Sequence, residues 1–202
     1  MVQSRPILSK LRASKIGDFF RPSQAASIGI SAFDIHRLVQ AGAIERINRG
    51  LYRIADADPS QHYTMAAVCA RAPSAILCLL SALSYHKIGT VLPRQVWIAI
   101  PQKARAPRLG DFPVRIVRFS GAPARYGIQN VTLEGVPARV TNPARTVVDC
   151  FRLHRHIDRA VALEALREAI RERKTNVDAI WRCAEVCGAK QLIAPHLEAL
   201  SV

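Results

Sequence analysis

Arg21-Pro-Ser-Gln-Ala-Ala-Ser-Ile28, Gly29-Ile30-Ser31 and, after one more helix-like decade, Ile44-Glu-Arg-Ile-Asn-Arg-Gly-Leu-Tyr-Arg-Ile54 make up the stretch that decides how this chain is read. Pro22 suits the first turn of a helix, where its missing N–H has no intrahelical partner to lose. Ser31 is placed to cap a helix over 32–41, and Gly42 stands where the left-handed residue after a helix belongs. Within that helix Ile35, Leu38 and Val39 share one face, whereas Phe33, His36, Arg37 and Gln40 fall mainly on others. Two short apolar runs, 44–47 and 51–54, flank Asn48-Arg49-Gly50, which has hairpin-turn chemistry. A preceding helix over 4–16 carries Ile7, Leu8 and Leu11 at helical spacing. Helix, turn, helix and hairpin in that order are the plan of a winged helix-turn-helix, which lays its second helix in the major groove of DNA.

The charge of the chain agrees with such a partner. Its 202 residues hold 29 Lys and Arg against 15 Asp and Glu, a formal net charge of +14. Half the residues are hydrophobic and 22% are charged, which describes a globular protein rather than a disordered one. The imbalance bears on partners and solubility, not on fold. Residues 1–60 carry 9 basic and 5 acidic side chains (+4), residues 61–141 carry 10 and 2 (+8), and residues 142–202 carry 10 and 8 (+2). The middle is thus more basic than the helix-turn-helix stretch. Solvated surface arginines and a second anionic contact, with DNA or an acidic protein, both account for it. Lys103, Arg105 and Arg108 on a Pro-containing loop, together with Arg145, are the candidates for that second contact.

Residues 55–61 are small, polar and broken by Pro59, and read as a linker. The expected division is a DNA-binding domain over 1–56 and a second domain over 57–202. A unit of 54 residues buries little surface alone, so a neighbour is needed to support it. Beyond the linker the patterns predict helices at 62–71 and 74–87, the latter apolar nearly all round. Strands follow at 96–100, 114–119, 130–133 and 136–140. Helices are expected at 142–153, 157–174, 176–187 and 189–200. The fold class is therefore mixed α+β: a winged helix-turn-helix, then an α/β domain with a small mixed sheet and a helical C-terminal end. In the 157–174 helix, Leu163, Leu166 and Ile170 form an expected inward stripe. Glu164, Arg167, Glu168, Arg171 and Glu172 form a self-paired solvated face.

Motifs of catalysis are missing. The chain has no Gly-x-Ser-x-Gly elbow, Walker loop, Gly-x-Gly-x-x-Gly or His-Glu-x-x-His. Residues 61–141 offer only Asp111 and Glu134 as carboxylates, too few for a metal nuclease centre. His86 ends an apolar helix and reads as a hydrogen-bonded packing residue. Cys183 and Cys187 are one helical turn apart, but no second cysteine pair completes a metal site. Neither catalytic residues, nor a metal, nor a cofactor are expected. Five cysteines, an odd number set mostly in apolar patterns, fit reduced thiols in the cytoplasm, and no apolar span suits a membrane.

The residues left for nucleic acid are Ser31, Phe33, His36, Arg37 and Gln40 on the second helix. Ser23 and Gln24 open the preceding helix, where hydroxyls and backbone N–H groups can hold phosphate. Arg46, Asn48, Arg49 and Arg53 lie on or beside the wing, suited to phosphate or minor-groove contact. Phe33 also fits a core role. In Val140-Thr-Asn-Pro-Ala-Arg-Thr-Val-Val-Asp-Cys150, Thr141 or Asn142 can cap a helix on which Arg145 and Asp149 are four apart. Arg145 can pair there or reach an anion or partner.

Three segments together resemble the AbiEi-type antitoxins and transcriptional regulators of type IV toxin–antitoxin systems. They are Arg37-Leu-Val-Gln-Ala-Gly-Ala-Ile-Glu-Arg-Ile-Asn-Arg-Gly-Leu-Tyr52, Leu80-Ser-Ala-Leu-Ser-Tyr-His-Lys-Ile88 and Thr141-Asn-Pro-Ala-Arg-Thr-Val-Val-Asp149. The resemblance implies an N-terminal winged helix joined to a mixed α/β domain. It implies binding to inverted repeats in the protein's own promoter, and repression of an operon encoding a nucleotidyltransferase-like toxin. Arg37, Arg46, Arg49 and Tyr52 match the motif, with Tyr52 either packing the wing or touching DNA. The alternative is a protein-interaction module that neutralises a toxin directly through its basic C-terminal domain, without specific DNA reading.

Overall fold

The structure, a computed structural model, describes residues 4–14, 16–56, 62–110 and 112–199, with backbone alone at 4, 5 and 48. Most of the expected linker, and Asp111, fall outside these residues. The chain forms two compact units, Met1–Pro73 with Thr132–Ala138, and Ser74–Val131 with Arg139–Val202. The class is mixed α+β.

In the first unit, α1 (Ser4–Ala13) precedes a two-residue strand β1 (Phe19–Phe20). Helices α2 (Pro22–Ser27) and α3 (Ala32–Gln40) follow, then the ribbon β2 (Ile44–Asn48) and β3 (Leu51–Ile54), and α4 (Tyr63–Arg71). The strands make an antiparallel sheet in the order β1-β3-β2, with Phe20 opposite Tyr52 and Arg46 opposite Tyr52 on the other side. The register shifts between Arg46 and Asn48, so the ribbon is bulged just before its turn. Leu11, Phe20, Ala25, Ile30, Ile35, Leu38, Ile44 and Ile54 close a core, with Ile7, Leu8 and Val39 packed on it. The inward faces expected for α1 and α3 are therefore the observed ones.

The second unit holds a five-stranded mixed sheet in the order β6-β5-β4-β8-β7, apart from the end of β7 and the start of β8, which fall in Thr132–Ala138. Its strands are β4 (Ile76–Leu77), β5 (Val96–Pro101), β6 (Val114–Phe119), β7 (Ile128–Leu133) and β8 (Val136–Thr141). Strands β4 and β5 are antiparallel; β4 with β8 and β5 with β6 are parallel. The turn between β7 and β8 has Glu134 and Gly135 both at positive φ, 49° and 78°, as a primed two-residue turn requires. Helices α5 (Leu79–His86), α6 (Pro143–Arg152), α7 (Arg159–Arg171), α8 (Val177–Val186) and α9 (Lys190–Glu198) complete the unit.

One expectation is corrected here. Residues 74–87 are not a single helix: Ile76 and Leu77 form the central strand of the sheet, and the helix begins at Leu79. A strand buried on both faces is apolar throughout, so it carries no alternation to set it apart from a buried helix. The α7 stripe is also displaced. Ala162, Ala165, Leu166 and Ala169 are buried, while Leu163 and Ile170 are only half-buried. The acidic residues of α7 do not simply pair with its arginines. Glu168 accepts from the Gly89 N–H at 3.0 Å, and Glu164 from the N–H and hydroxyl of Thr90 at 3.1 and 3.0 Å.

All five cysteines are unpaired and buried. Burial pushes Cys69 up to about 12 and raises Cys78 and Cys150 as well. Cys183 and Cys187 share a thiol hydrogen bond at 3.9 Å, and that bond, with burial, raises Cys183. Among the described residues no group of three His, Cys, Asp or Glu side chains could hold a metal ion, and no helix is long and apolar enough to cross a membrane.

Candidate nucleic-acid interface

Helix α3 is delimited at both ends by its own sequence. Ser31 Oγ accepts from the Asp34 N–H at 3.1 Å, and Asp34 Oδ2 accepts from the Ser31 N–H at 3.1 Å and its hydroxyl at 2.7 Å. This reciprocal box satisfies donors that the first turn leaves orphaned. The Ser31 bonds, that of its hydroxyl first, hold the Asp34 carboxyl below its ordinary range. The Ser31 hydroxyl, expected as a DNA contact, is thus engaged in the cap. At the other end, the Ala43 N–H bonds to Leu38 C=O at 2.9 Å and the Gly42 N–H to Val39 C=O at 3.0 Å, with Gly42 at φ 66°. That is a Schellman closure, for which the left-handed glycine is required.

With Ile35 and Leu38 buried, α3 presents Phe33, His36 and Gln40 to solvent, with Arg37 partly covered. Phe33 is 68% exposed, so the core role is excluded, and the Arg37 guanidinium lies over its ring at 5.8 Å. Ser23 is exposed in the first turn of α2. Gln24 is half-buried, its Oε1 accepting from the Arg21 N–H at 2.8 Å.

On the ribbon, Arg46 and Arg49 are exposed; the Asn48 side chain lies outside the described residues. Arg53 is different. It is 7% exposed, and its guanidinium lies 4.2 Å from the ring centroid of Tyr63 on α4. Arg53 lies on the ribbon as expected, but a cation held on an aromatic face inside the first unit is withdrawn from the surface, which corrects its expected phosphate or minor-groove contact. Tyr52 stacks on Phe20 with centroids 6.0 Å apart and joins the core, so it packs the wing.

The second set of basic residues separates in the same way. Lys103, Arg105 and Arg108 are exposed on the loop after β5. A depression of about 590 Å³ there is lined by Lys103, Phe119, Ser120 and Arg125 among others. The start of the loop is pinned by Arg118, a residue the sequence patterns did not single out. Its Nη1 donates to the carbonyls of Pro101, Gln102 and Ala104 at 3.3, 2.7 and 2.8 Å. Arg145, by contrast, is fully enclosed. Its Nε donates to Asp149 Oδ2 at 2.8 Å and its Nη1 to the Tyr126 carbonyl at 2.7 Å, while its guanidinium sits over Phe119 at 4.7 Å. Arg145 is therefore a structural cation, not an external anion contact. Asn142 Oδ1 caps α6 by accepting from the Arg145 N–H at 2.8 Å.

His86 is the packing residue its position suggested. Its Nε2 is 2.7 Å from the Thr141 carbonyl oxygen, and burial lowers its affinity for a proton.

Comparison with known proteins bears on the first unit most directly. Residues 8–55, from α1 to β3, match the model of a family described as transcriptional regulators, AbiEi antitoxins. The family is regulatory rather than catalytic. No curated protein matches the chain. Among solved structures, the chain is similar to the RV2827C protein from Mycobacterium tuberculosis, with a TM-score of 0.53 and 15% identity over 98% of this chain and 79% of that one. At that identity the likeness is one of fold.

Proposed function

From the AbiEi match over residues 8–55, we propose that this protein is a sequence-specific DNA-binding antitoxin that represses its own toxin–antitoxin operon. The observation that carries the reading is the outer face of α3, where Phe33, His36, Arg37 and Gln40 stand together inside the family-matched stretch. Arg and Gln can make paired hydrogen bonds to guanine and adenine edges in the major groove. Arg46 and Arg49 on the ribbon supply phosphate contacts, which carry affinity and register but no sequence information. Exposed Ser23 at the start of α2 is suited to a further phosphate. The operator is an inverted repeat in the promoter, and the toxin is of the nucleotidyltransferase type. The exposed Lys103, Arg105 and Arg108 favour one addition, a second anionic contact on DNA or on an acidic partner.

The test is fluorescence anisotropy with duplex DNA from upstream of the protein's own gene, against scrambled duplex, across a salt series. Preference for the upstream duplex that survives physiological salt is the expected result. Equal binding to both that vanishes as salt rises would mean that charge alone accounts for the affinity. The alternative, direct neutralisation of a toxin without specific DNA reading, would then take its place.

A further inference from the structure

Phe33 is the one large apolar side chain left exposed among the described residues of the first unit. It is not there by default of packing. The core of that unit is closed by Ile35 and Leu38 from the same helix, and Phe33 takes no part in it. The ring is also held. It stands in the first turn of α3, which the Ser31–Asp34 box fixes, and one turn on the Arg37 guanidinium lies over its face at 5.8 Å. A rigid helix thus presents an apolar ring, flanked by exposed His36 and Gln40, on a chain of net charge +14.

We propose that Phe33 reads the C5-methyl group of thymine in the major groove. The inference rests on the proposal that α3 is the DNA-reading helix, and it names what one residue of that helix selects. A phenyl ring has no donor or acceptor for a base edge. In the major groove the thymine methyl is the largest apolar group that a base pair displays. Placed against guanine O6 and N7, or against the cytosine amino group, the ring would strip water from a polar group and return no hydrogen bond. Selection at this position is therefore both attractive toward thymine and repulsive toward a G·C pair. Arg37 and Gln40, one and two turns further along, then hydrogen-bond neighbouring pairs, with the Arg37 contact to the ring holding the two side chains in register.

The experiment compares two duplexes of the same upstream sequence, one with thymidine and one with deoxyuridine at every thymidine position. The change deletes methyl groups and keeps base pairing. Wild-type protein should bind the uridine duplex about three- to fivefold more weakly for each methyl contacted, the loss that burial of one methyl-sized group implies. Phe33→Ala should bind the thymidine duplex more weakly and lose the difference between the two. Phe33→Leu, still apolar, should retain part of it. Any effect of uridine on DNA shape is common to wild type and Phe33→Ala, so it cancels in the cycle. Thermal melting checks that Phe33→Ala keeps its fold. A wild-type protein that prefers upstream over scrambled DNA but binds both forms alike would overturn the methyl reading and leave the DNA-binding proposal standing. So would a Phe33→Ala protein with the full wild-type ratio. A wild-type protein with no preference for upstream DNA would remove the DNA-binding proposal, and this inference with it.

Discussion

Arg145 Nε and Asp149 Oδ2 are 2.8 Å apart, one helical turn along α6, and both side chains are fully buried. Arg152 donates to the second carboxylate oxygen at 2.9 Å, so one anion holds two guanidiniums against the Phe119 ring. Removing the anion alone strands buried positive charge. Asp149→Ala should therefore cost about 3–5 kcal/mol, whereas replacing Arg145 and Asp149 together by apolar residues of similar volume should cost far less. Urea unfolding of the single and double variants measures both. Equal losses would mean that the ion pair is not what the site depends on.

Gly127 backs onto the same arginine. It lies at φ +66°, and a Cβ built there would come within 2.8 Å of Arg145 Cβ, an atom too near its own backbone to swing away. Gly127→Ala should destabilise the protein by more than about 1 kcal/mol, through both the left-handed backbone and the collision. Thermal denaturation of this variant beside Gly50→Ala separates the two causes, because Gly50 shares the positive φ with nothing within 4 Å.

The cap of α3 predicts a coupled loss of stability and reading. Ser31→Ala removes the N-cap acceptor and should cost about 1 kcal/mol, with fraying confined to the turn that bears Phe33. Because the Asp34 carboxyl is held below its ordinary range, its contribution is present above the unfolded value and disappears as pH falls through the folded one. Hydrogen exchange of the α3 amides at neutral and acid pH would show it. Unchanged protection in Ser31→Ala would count against the cap.

His86 should make stability fall on mild acidification. Burial lowers its pKa from 6.5, so the unfolded chain takes up a proton more readily than the folded one. The contribution is full above the unfolded value and is lost as pH drops toward the folded one. Melting temperature should decline between pH 7 and pH 5 in the wild type, with part of that decline missing in His86→Gln.

DNA binding should separate the two surfaces of the first unit. Arg37→Ala should relax sequence preference by about 1–3 kcal/mol, the range of a lost paired base contact. Arg49→Ala should weaken operator and random DNA alike and reduce the salt slope by about one. Equal losses on both DNAs for both variants would contradict the assignment of α3 to reading and of the ribbon to phosphate.

Legibility in the sequence followed how local each cause was. The limits of α3 came from residues that act within one turn, Ser31 at its start and Gly42 at its end, and these could be read directly, though the reciprocal bond of Asp34 was not. The same holds for the ribbon, whose turn residues are adjacent. Strand β4 could not be separated from a helix, because Ile76 and Leu77 are apolar on both sides and their partners at β5 and β8 lie far along the chain. Strand β1 is two residues long and exists only through its pairing with β3. The arginines divided for the same reason. Nothing near Arg53 in sequence announces that Tyr63 will lie over it. The spacing of Arg145 and Asp149 allowed a pair, but not the enclosure by Phe119 and the Tyr126 carbonyl that removes it from the surface.

The buried thiols have a practical consequence. Only a thiolate attacks a labelling reagent; burial puts all five thiols out of reach and raises the pKa of Cys69, Cys78 and Cys150. Cys69 belongs to the first unit and the other four cysteines to the second. Modification of Cys69 therefore times the opening of one unit, and modification of the remaining four times the opening of the other. Without any introduced probe the protein carries two clocks, and the one that slows when DNA is added identifies the unit that DNA holds shut.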